Sequence, residues 1–300
     1  MTRESLATTA HPEMATSPES PGSVALGAYL PGFTQDPGVV SAYVERTGAA
    51  PAIVHSFQDW DGRDAAFNAS AASAVYARAA VPMVTWQPWR WAQVVSGEHD
   101  THARAYANAI RRFRRPILLR FAHEMNGSWI PWRDTPGRFR DAWRRMHSLF
   151  NAAGAGNARW VWSPHVVDRR AADFEPYYPG DTQVDWVALD GYNWGSRWRS
   201  GWRSFDAIFA DSYRRIRSLS ARPLMLAEIG CAERGGDKAA WIRDAFLSAM
   251  PRRYPAVSAV VWFDEHRRDH ADWRIDSSPA SLAAWRDVAT HPHYRGRLAL

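Results

Sequence analysis

Arg120, His123, Glu124 and Asn126 follow directly on a short apolar run, Pro116-Ile-Leu-Leu119, with Trp129 and Trp132 close behind them. Polar and charged residues bunched at the exit of a buried strand are a poor recipe for packing. They make sense as a holder for a sugar ring against a proton donor. A carboxylate and an amide grip hydroxyls, and the flat face of Trp accepts the C–H side of a pyranose. Further along, Glu228 stands in a matching setting, Pro223-Leu-Met-Leu-Ala-Glu228-Ile-Gly-Cys231. Two carboxylates on separate strand ends are the minimum equipment for cleaving a glycosidic bond. The plainer reading of either Glu alone is a helix cap or a salt-bridge partner.

Such groups need elements to aim them. Eight short apolar runs recur along the chain: Val24 to Tyr29, Ala52 to Phe57, Val81 to Trp86, Ile117 to Phe121, Arg159 to Ser163, Val184 to Asp190, Leu224 to Glu228 and Val257 to Trp262. Near-continuous apolar runs belong to parallel strands covered on both faces. Most are followed by a helical stripe: Phe139, Trp143, Met146 and Phe150; then Phe205, Ile208, Phe209, Tyr213 and Ile216; a looser Trp241, Phe246 and Met250; and Leu282, Trp285 and Val288. Ser204 and Ser278 precede their stripes as N-caps. Eight β/α units without a Pro/Gly/Ser linker predict one (β/α)₈ TIM barrel over 23–300. A doubly wound sheet is the competing α/β arrangement, but no Gly-rich phosphate loop follows an early strand. The barrel also explains why His55, Gln87, Glu124, Asp190, Glu228 and Asp264 fall at or just beyond the ends of their runs, where barrel enzymes place their chemistry.

Composition narrows the alternatives. The chain has 300 residues, 46% of them hydrophobic, enough for a sizeable core, and its 17 Trp exceed what a core needs. The formal charge of +6 invites a nucleic-acid reading, but Lys238 is the sole lysine, and arginine spread through the chain looks like compositional bias rather than a patch. The densest cluster, Arg111, Arg112, Arg114 and Arg115, ends a predicted helix, where cations favour the helix dipole. No nucleic-acid partner is expected. A single cysteine, Cys231, rules out an internal disulfide and reads as a buried thiol. No apolar run has the length of a membrane span. Residues 1–22, rich in Ser, Thr, Pro and Glu, read as a disordered tail without the apolar segment of a signal peptide. A polysaccharide substrate would call for secretion, so the route of export, if any, stays open.

The segment Arg120…His123-Glu124-Met125-Asn126-Gly127…Trp129…Pro131-Trp132 resembles the acid/base signature of family 26 glycoside hydrolases, (β/α)₈ barrels that include endo-β-1,4-mannanases. The resemblance extends through Trp162-Ser163-Pro164, Tyr177 to Asp181, Val184-Asp185-Trp186, Asp190-Gly191-Tyr192-Asn193-Trp194, Glu228-Ile229-Gly230 and Asp272 to Ser278. It implies a retaining hydrolase acting inside a β-glycan, mannan foremost, with Glu124 as general acid/base and Glu228 as nucleophile. It further implies that Tyr192 bonds Glu228, that His123 binds a sugar hydroxyl and that Trp262 forms the stacking floor. Trp129 would line the side of the leaving sugars, with Trp86 and Trp89 as further cleft aromatics. Arg120 would organise charge in the barrel mouth.

One departure stands out. Mannanases of the family carry Trp-His at the end of strand 3, and here Trp86 is followed by Gln87. β-1,3-1,4-Glucan and β-1,3-xylan therefore stay open as substrates, as does a relative that binds or processes polysaccharide with little turnover. Packing remains the rival role for each aromatic, and a structural role for His123. No cofactor is expected, since acetal hydrolysis by this route needs none. His123-Glu124 lacks the second His of a zinc-helix motif. His266 and His270 have the i, i+4 spacing of metal ligands, but the arginines beside them would repel a cation. The chain is expected to act as a monomer.

Overall fold

A computed structural model of the chain describes residues 23–60, 65–197, 199–268, 270–298 and 300. The tail expected over 1–22 lies outside the described residues. Eight parallel strands close on themselves in chain order: β1 (Ala25–Tyr29), β2 (Ile53–Asp59), β3 (Val81–Gln87), β4 (Ile117–Phe121), β5 (Ala158–Trp162), β6 (Trp186–Asn193), β7 (Leu224–Cys231) and β8 (Val257–Phe263). β8 pairs with β1 through Ala25↔Ala259 to Tyr29↔Phe263, which seals the barrel.

Strand alternation divides the apolar residues into two cores. Ala25, Ile53, Met83, Leu118, Val161, Met225 and Val261 plug the barrel interior. Their sequence neighbours Leu26, Val54, Val84, Leu119, Trp162, Leu226 and Trp262 point outward into the layer between strands and helices. Climbing a strand by two residues keeps the same interior face. Ile53 is thus followed upward by His55 and Phe57, Met83 by Thr85 and Gln87, and Leu118 by Arg120. The interior passes from an apolar plug to a polar middle layer and then to an open mouth at the strands' C-terminal ends.

The helical stripes form the outer layer. Phe139, Trp143, Met146 and Phe150 are buried on the helix Pro136–Ala152, and Phe205, Ile208, Phe209 and Ile216 on Phe205–Leu219. Ser204 and Ser278 cap their helices, the side chains accepting from the N–H groups of Ala207 and Ser281. The looser stripe has a local cause. The α-helix Lys238–Arg243 runs into a π-helical segment, Asp244–Ala249, before the helix Met250–Arg253. The wider π turn brings residues five apart onto one face, as the Trp241–Phe246 spacing requires. Among the described residues no helix is long and apolar enough to cross a membrane.

Candidate active site

The chain leaves β4 under backbone constraint. Ala122 and Glu124 both adopt left-handed backbone, with φ of 44° and 53°, a conformation costing roughly 1–2 kcal/mol for a residue with a side chain. Backbone bonds hold it: Ala122 N–H to Trp86 O at 3.2 Å, Glu124 N–H to Ser163 O at 2.7 Å and Gly127 N–H to Glu124 O at 2.7 Å. This double reversal directs His123 and Glu124 together over the mouth. Gly127 completes it, because a Cβ there would stand 2.6 Å from the Trp129 ring. Only a residue without a side chain lets Trp129 fold back so that its indole N–H donates to Glu124 Oε2 at 2.6 Å.

Glu228 enters from β7, across the mouth. Its Oε1 accepts from Arg120 Nη1 at 2.5 Å, and its other oxygen accepts from the Tyr192 hydroxyl. Arg120 is wholly buried in the polar middle layer, where it also donates to Asp190 and, at 3.0 Å, to Thr85 Oγ1. The Ser163 hydroxyl donates to Asp190 at 2.9 Å. Burial opposes the Arg120 charge, but Asp190 and Glu228 outweigh it and hold its pKa above the ordinary value. Burial first, and then the Glu228 charge, keeps the Tyr192 phenol protonated and donating.

Glu124 has the opposite environment. Burial and then the negative charge of Glu228 push its pKa up to about 8, against the lowering pull of the Trp129 N–H and Arg120. At neutral pH one carboxyl therefore holds a proton beside another that bonds a guanidinium and a phenol. His123 is held well below the usual histidine range by burial, Arg120 and His55, so it presents a neutral imidazole.

This chemistry predicts a pH limb. Activity that depends on protonated Glu124 falls as pH rises through about 8. The Trp129 bond favours the ionised carboxylate, so removing it must raise the Glu124 pKa. Trp129→Phe is expected to move the alkaline limb of the kcat/KM profile to higher pH. A limb that stays fixed or moves down would refute this account of the bond.

The two glutamates share one cleft of about 600 Å³ with Gln87, Trp89, His123, Trp129 and Tyr192. Trp89 is 46% exposed, its indole bonded to Asp59 at 2.6 Å. Two of the expected aromatics are not there. Trp86 is fully buried on the outward face of β3, stacked on Trp60 and Tyr106 with ring centroids 4.2 and 4.5 Å away. Trp262 is likewise buried on the outward face of β8, packed against Trp285 and donating to Trp273 O at 2.8 Å. Each shares strand parity with the outer core, while the next residue, Gln87 or Phe263, points into the mouth. The floor expected of Trp262 is built instead from Phe263, Tyr29, Phe57 and Trp273. Alternation along β1, β2 and β8 was the signal for the first three.

Asn126, expected to grip hydroxyls, is spent on the backbone. Its amide donates to His165 O at 2.9 Å and Ala172 O at 2.8 Å, and its oxygen accepts from His165 N–H at 2.9 Å. It ties the loop after β4 to the loop after β5 and so places His165, a cleft residue the sequence reading passed over, edge-on to Trp129. His55 lies one layer below the mouth, its Nε2 2.7 Å from Thr85 Oγ1. Asp264 sits away from the cleft, accepting from Ile275 N–H at 2.8 Å and meeting Arg46 at 3.2 Å. Among the described residues no cluster of three or more His, Cys, Asp or Glu could hold a metal ion.

A closed parallel barrel carrying a protonated glutamate and a second one bonded by a guanidinium and a phenol, in one aromatic-lined cleft, has the equipment of the barrel glycosidases. Residues 90–231 match the family model described as Glycosyl hydrolase family 26. Endoglucanase H of Acetivibrio thermocellus is 34% identical over 275 residues, covering 88% of this chain and 30% of that protein. A mannan endo-1,4-beta-mannosidase of Bacillus subtilis strain 168 is 27% identical over 161 residues, half of this chain and 40% of the enzyme. The chain thus spans well under half the length of either relative. Among solved structures, GH26A from Muricauda sp. MAR_2010_75 superposes with a TM-score of 0.66 at 20% identity, covering 91% of both chains. A β-mannanase from Bacteroides ovatus gives 0.66 at 18%, covering 91% of this chain and 90% of its own. The stretch from 90 to 231, which holds both Glu124 and Glu228, thus belongs to glycosyl hydrolase family 26.

Proposed function

We propose that the chain is a retaining hydrolase of internal β-linkages in a polysaccharide, with Glu228 as nucleophile and Glu124 as acid/base. The observation that carries this reading is the asymmetry of the pair. Glu228 is bonded by Arg120 and Tyr192, while burial and the Glu228 charge keep a proton on Glu124. Glu124 gives that proton to the leaving oxygen as Glu228 Oε attacks the anomeric carbon. Glycosylation removes the negative charge of Glu228, which lowers the Glu124 pKa. Glu124 then takes a proton from water, and the resulting hydroxyl displaces Glu228. Loss of that one charge moves Glu124 from acid towards base without any moving part. His123, Gln87 and Tyr29 supply polar groups for sugar hydroxyls, and Trp89, Trp129, Phe263 and Trp273 supply faces.

For the substrate we favour a glucan. The relative named as an endoglucanase aligns with 88% of this chain at 34% identity, whereas the mannosidases align with half of it at 26–29%. Gln87, where mannanases of the family carry His, points the same way. Mannan is the second reading, supported by those mannosidases and by the mannanase structures that share the fold. Reducing-end release with product sizing should show mid-chain cuts in mixed-linkage β-glucan at a kcat/KM above that on mannan or β-1,3-xylan. The reverse order on mannan would replace the glucan reading. No release from any of them would leave a binding protein.

A further inference from the structure

A second basin of about 520 Å³, lined by the loops after β6, β7 and β8, adjoins the cleft and shares Trp194, Arg267 and His270 with it. Among the described residues its walls carry four guanidinium groups, Arg197, Arg234, Arg267 and Arg268, against two carboxylates, Glu233 and Asp272. Both carboxylates are committed elsewhere. Glu233 accepts from the hydroxyls of Ser277 at 2.5 Å and Ser281 at 3.0 Å and lies 3.9 Å from Lys238. Asp272 is gripped by Arg274 through Nε at 2.9 Å and Nη2 at 2.7 Å. Arg267 meets Glu265 at 2.7 Å, but Glu265 is outside the basin wall. Among the described residues no carboxylate comes within ion-pair distance of Arg234 or Arg268.

A neutral glycan gives no reason for this surplus, since its hydroxyls are satisfied by uncharged donors. Guanidinium forks fit oxyanions, and a concave wall of one sign concentrates its field inside the cavity. The contrast within the same cleft is informative. At the opposite end, beside Trp129, Arg170 is accompanied by Asp168, so the excess charge is confined to the β6–β8 sector. We propose that this basin is an anion subsite continuous with the sugar cleft, taking an oxyanion (carboxylate or phosphate) borne by a sugar of the polysaccharide. The proposal rests on the glycan reading of the cleft. It places the charged sugar across the mouth from Trp129, on the part of the chain held over Tyr192 and Phe263.

The test measures binding and turnover separately. Glu228→Gln protein is titrated calorimetrically with a neutral β-glucan oligosaccharide, its C6-oxidised form and its phosphorylated form. The oxidised or the phosphorylated form should bind roughly tenfold tighter than the neutral one, as one charge-assisted contact provides. That advantage should collapse in about 0.5 M NaCl, where screening is strong, and when Arg234→Ala and Arg268→Ala are added. With wild-type enzyme the same preference should appear as a ratio of kcat/KM values, which keeps the test independent of how the Glu228 variant folds. Equal affinity for neutral and charged sugars, or an advantage that survives both arginine changes, overturns the subsite while leaving the glycan reading standing. If no oligosaccharide of either kind binds, the glycan reading falls and the subsite with it. A short RNA that displaces the charged sugar from the basin would assign it to nucleic acid and also overturn the proposal.

Discussion

Glu228→Ala should lower turnover of a soluble β-glycan by a factor on the order of 10⁴ or more, because the other described carboxylates lining the cleft, Glu124 and Asp168, come from the loops after β4 and β5. Ala also strips Arg120 and Tyr192 of a shared acceptor, so Glu228→Gln is the cleaner companion. Its amide oxygen can still accept one bond, and its loss of activity then reports the missing nucleophile. Glu124 should behave differently with leaving group. Removing it costs about 10²–10⁴ on a glycan, whose leaving oxygen needs a proton. A dinitrophenyl glycoside has a stable anionic leaving group, so Glu124→Ala should still glycosylate Glu228 with it and then stall, because water is no longer activated. Mass spectrometry would find that covalent intermediate accumulating. Full activity in Glu228→Ala, or an equal loss on both substrates in Glu124→Ala, would dismiss the assigned pair.

Much of this architecture was legible because parallel strands buried on both faces leave an unmistakable trace. Each of the eight apolar runs lies on a strand whose ends agree with it within three residues, and the stripes from Phe139 and Phe205 lie on the helices that cover them. What the runs concealed was direction. In a strand apolar on both faces, Trp86 looks as suited to a cleft as Gln87, and Trp262 as Phe263. Only the parity fixed by the interior plug separates them, and that plug is visible only once the barrel closes. Asn126 misled for a different reason: an amide is equally able to hold a sugar or two loops, and composition does not say which. The left-handed turns at Ala122 and Glu124 left no sign at all, since neither residue is the glycine that such backbone usually demands. The basic sector of the cleft was equally hidden. Its arginines come from three separate loops, and among so many others in the sequence they looked like background.

Arg120→Met should destabilise the barrel by about 3–5 kcal/mol, because it leaves Asp190 and Glu228 as buried carboxylates without their cation. Against a net stability of roughly 5–15 kcal/mol this is a large fraction, and the urea midpoint should fall accordingly. Volume is nearly conserved, so the loss reports charge rather than a cavity. The arrangement predicts a partial rescue. Asp190 is wholly buried, burial pushes its carboxyl pKa well up, and Arg120 and the Ser163 bond pull against it, so Arg120→Met with Asp190→Asn removes the cost of a carboxyl left without its cation and should be more stable than Arg120→Met alone. Glu228 then remains as the residual cost. Arg120→Lys should fall between wild type and Met: it restores the charge, but a compact ammonium cannot reproduce the fork that reaches Asp190, Glu228 and Thr85 from one side chain. A loss below about 1 kcal/mol for Arg120→Met, in the range of an exposed ion pair, would mean that the two carboxylates share protons instead of charge. The account of how Glu228 is kept ready to attack would then have to be abandoned.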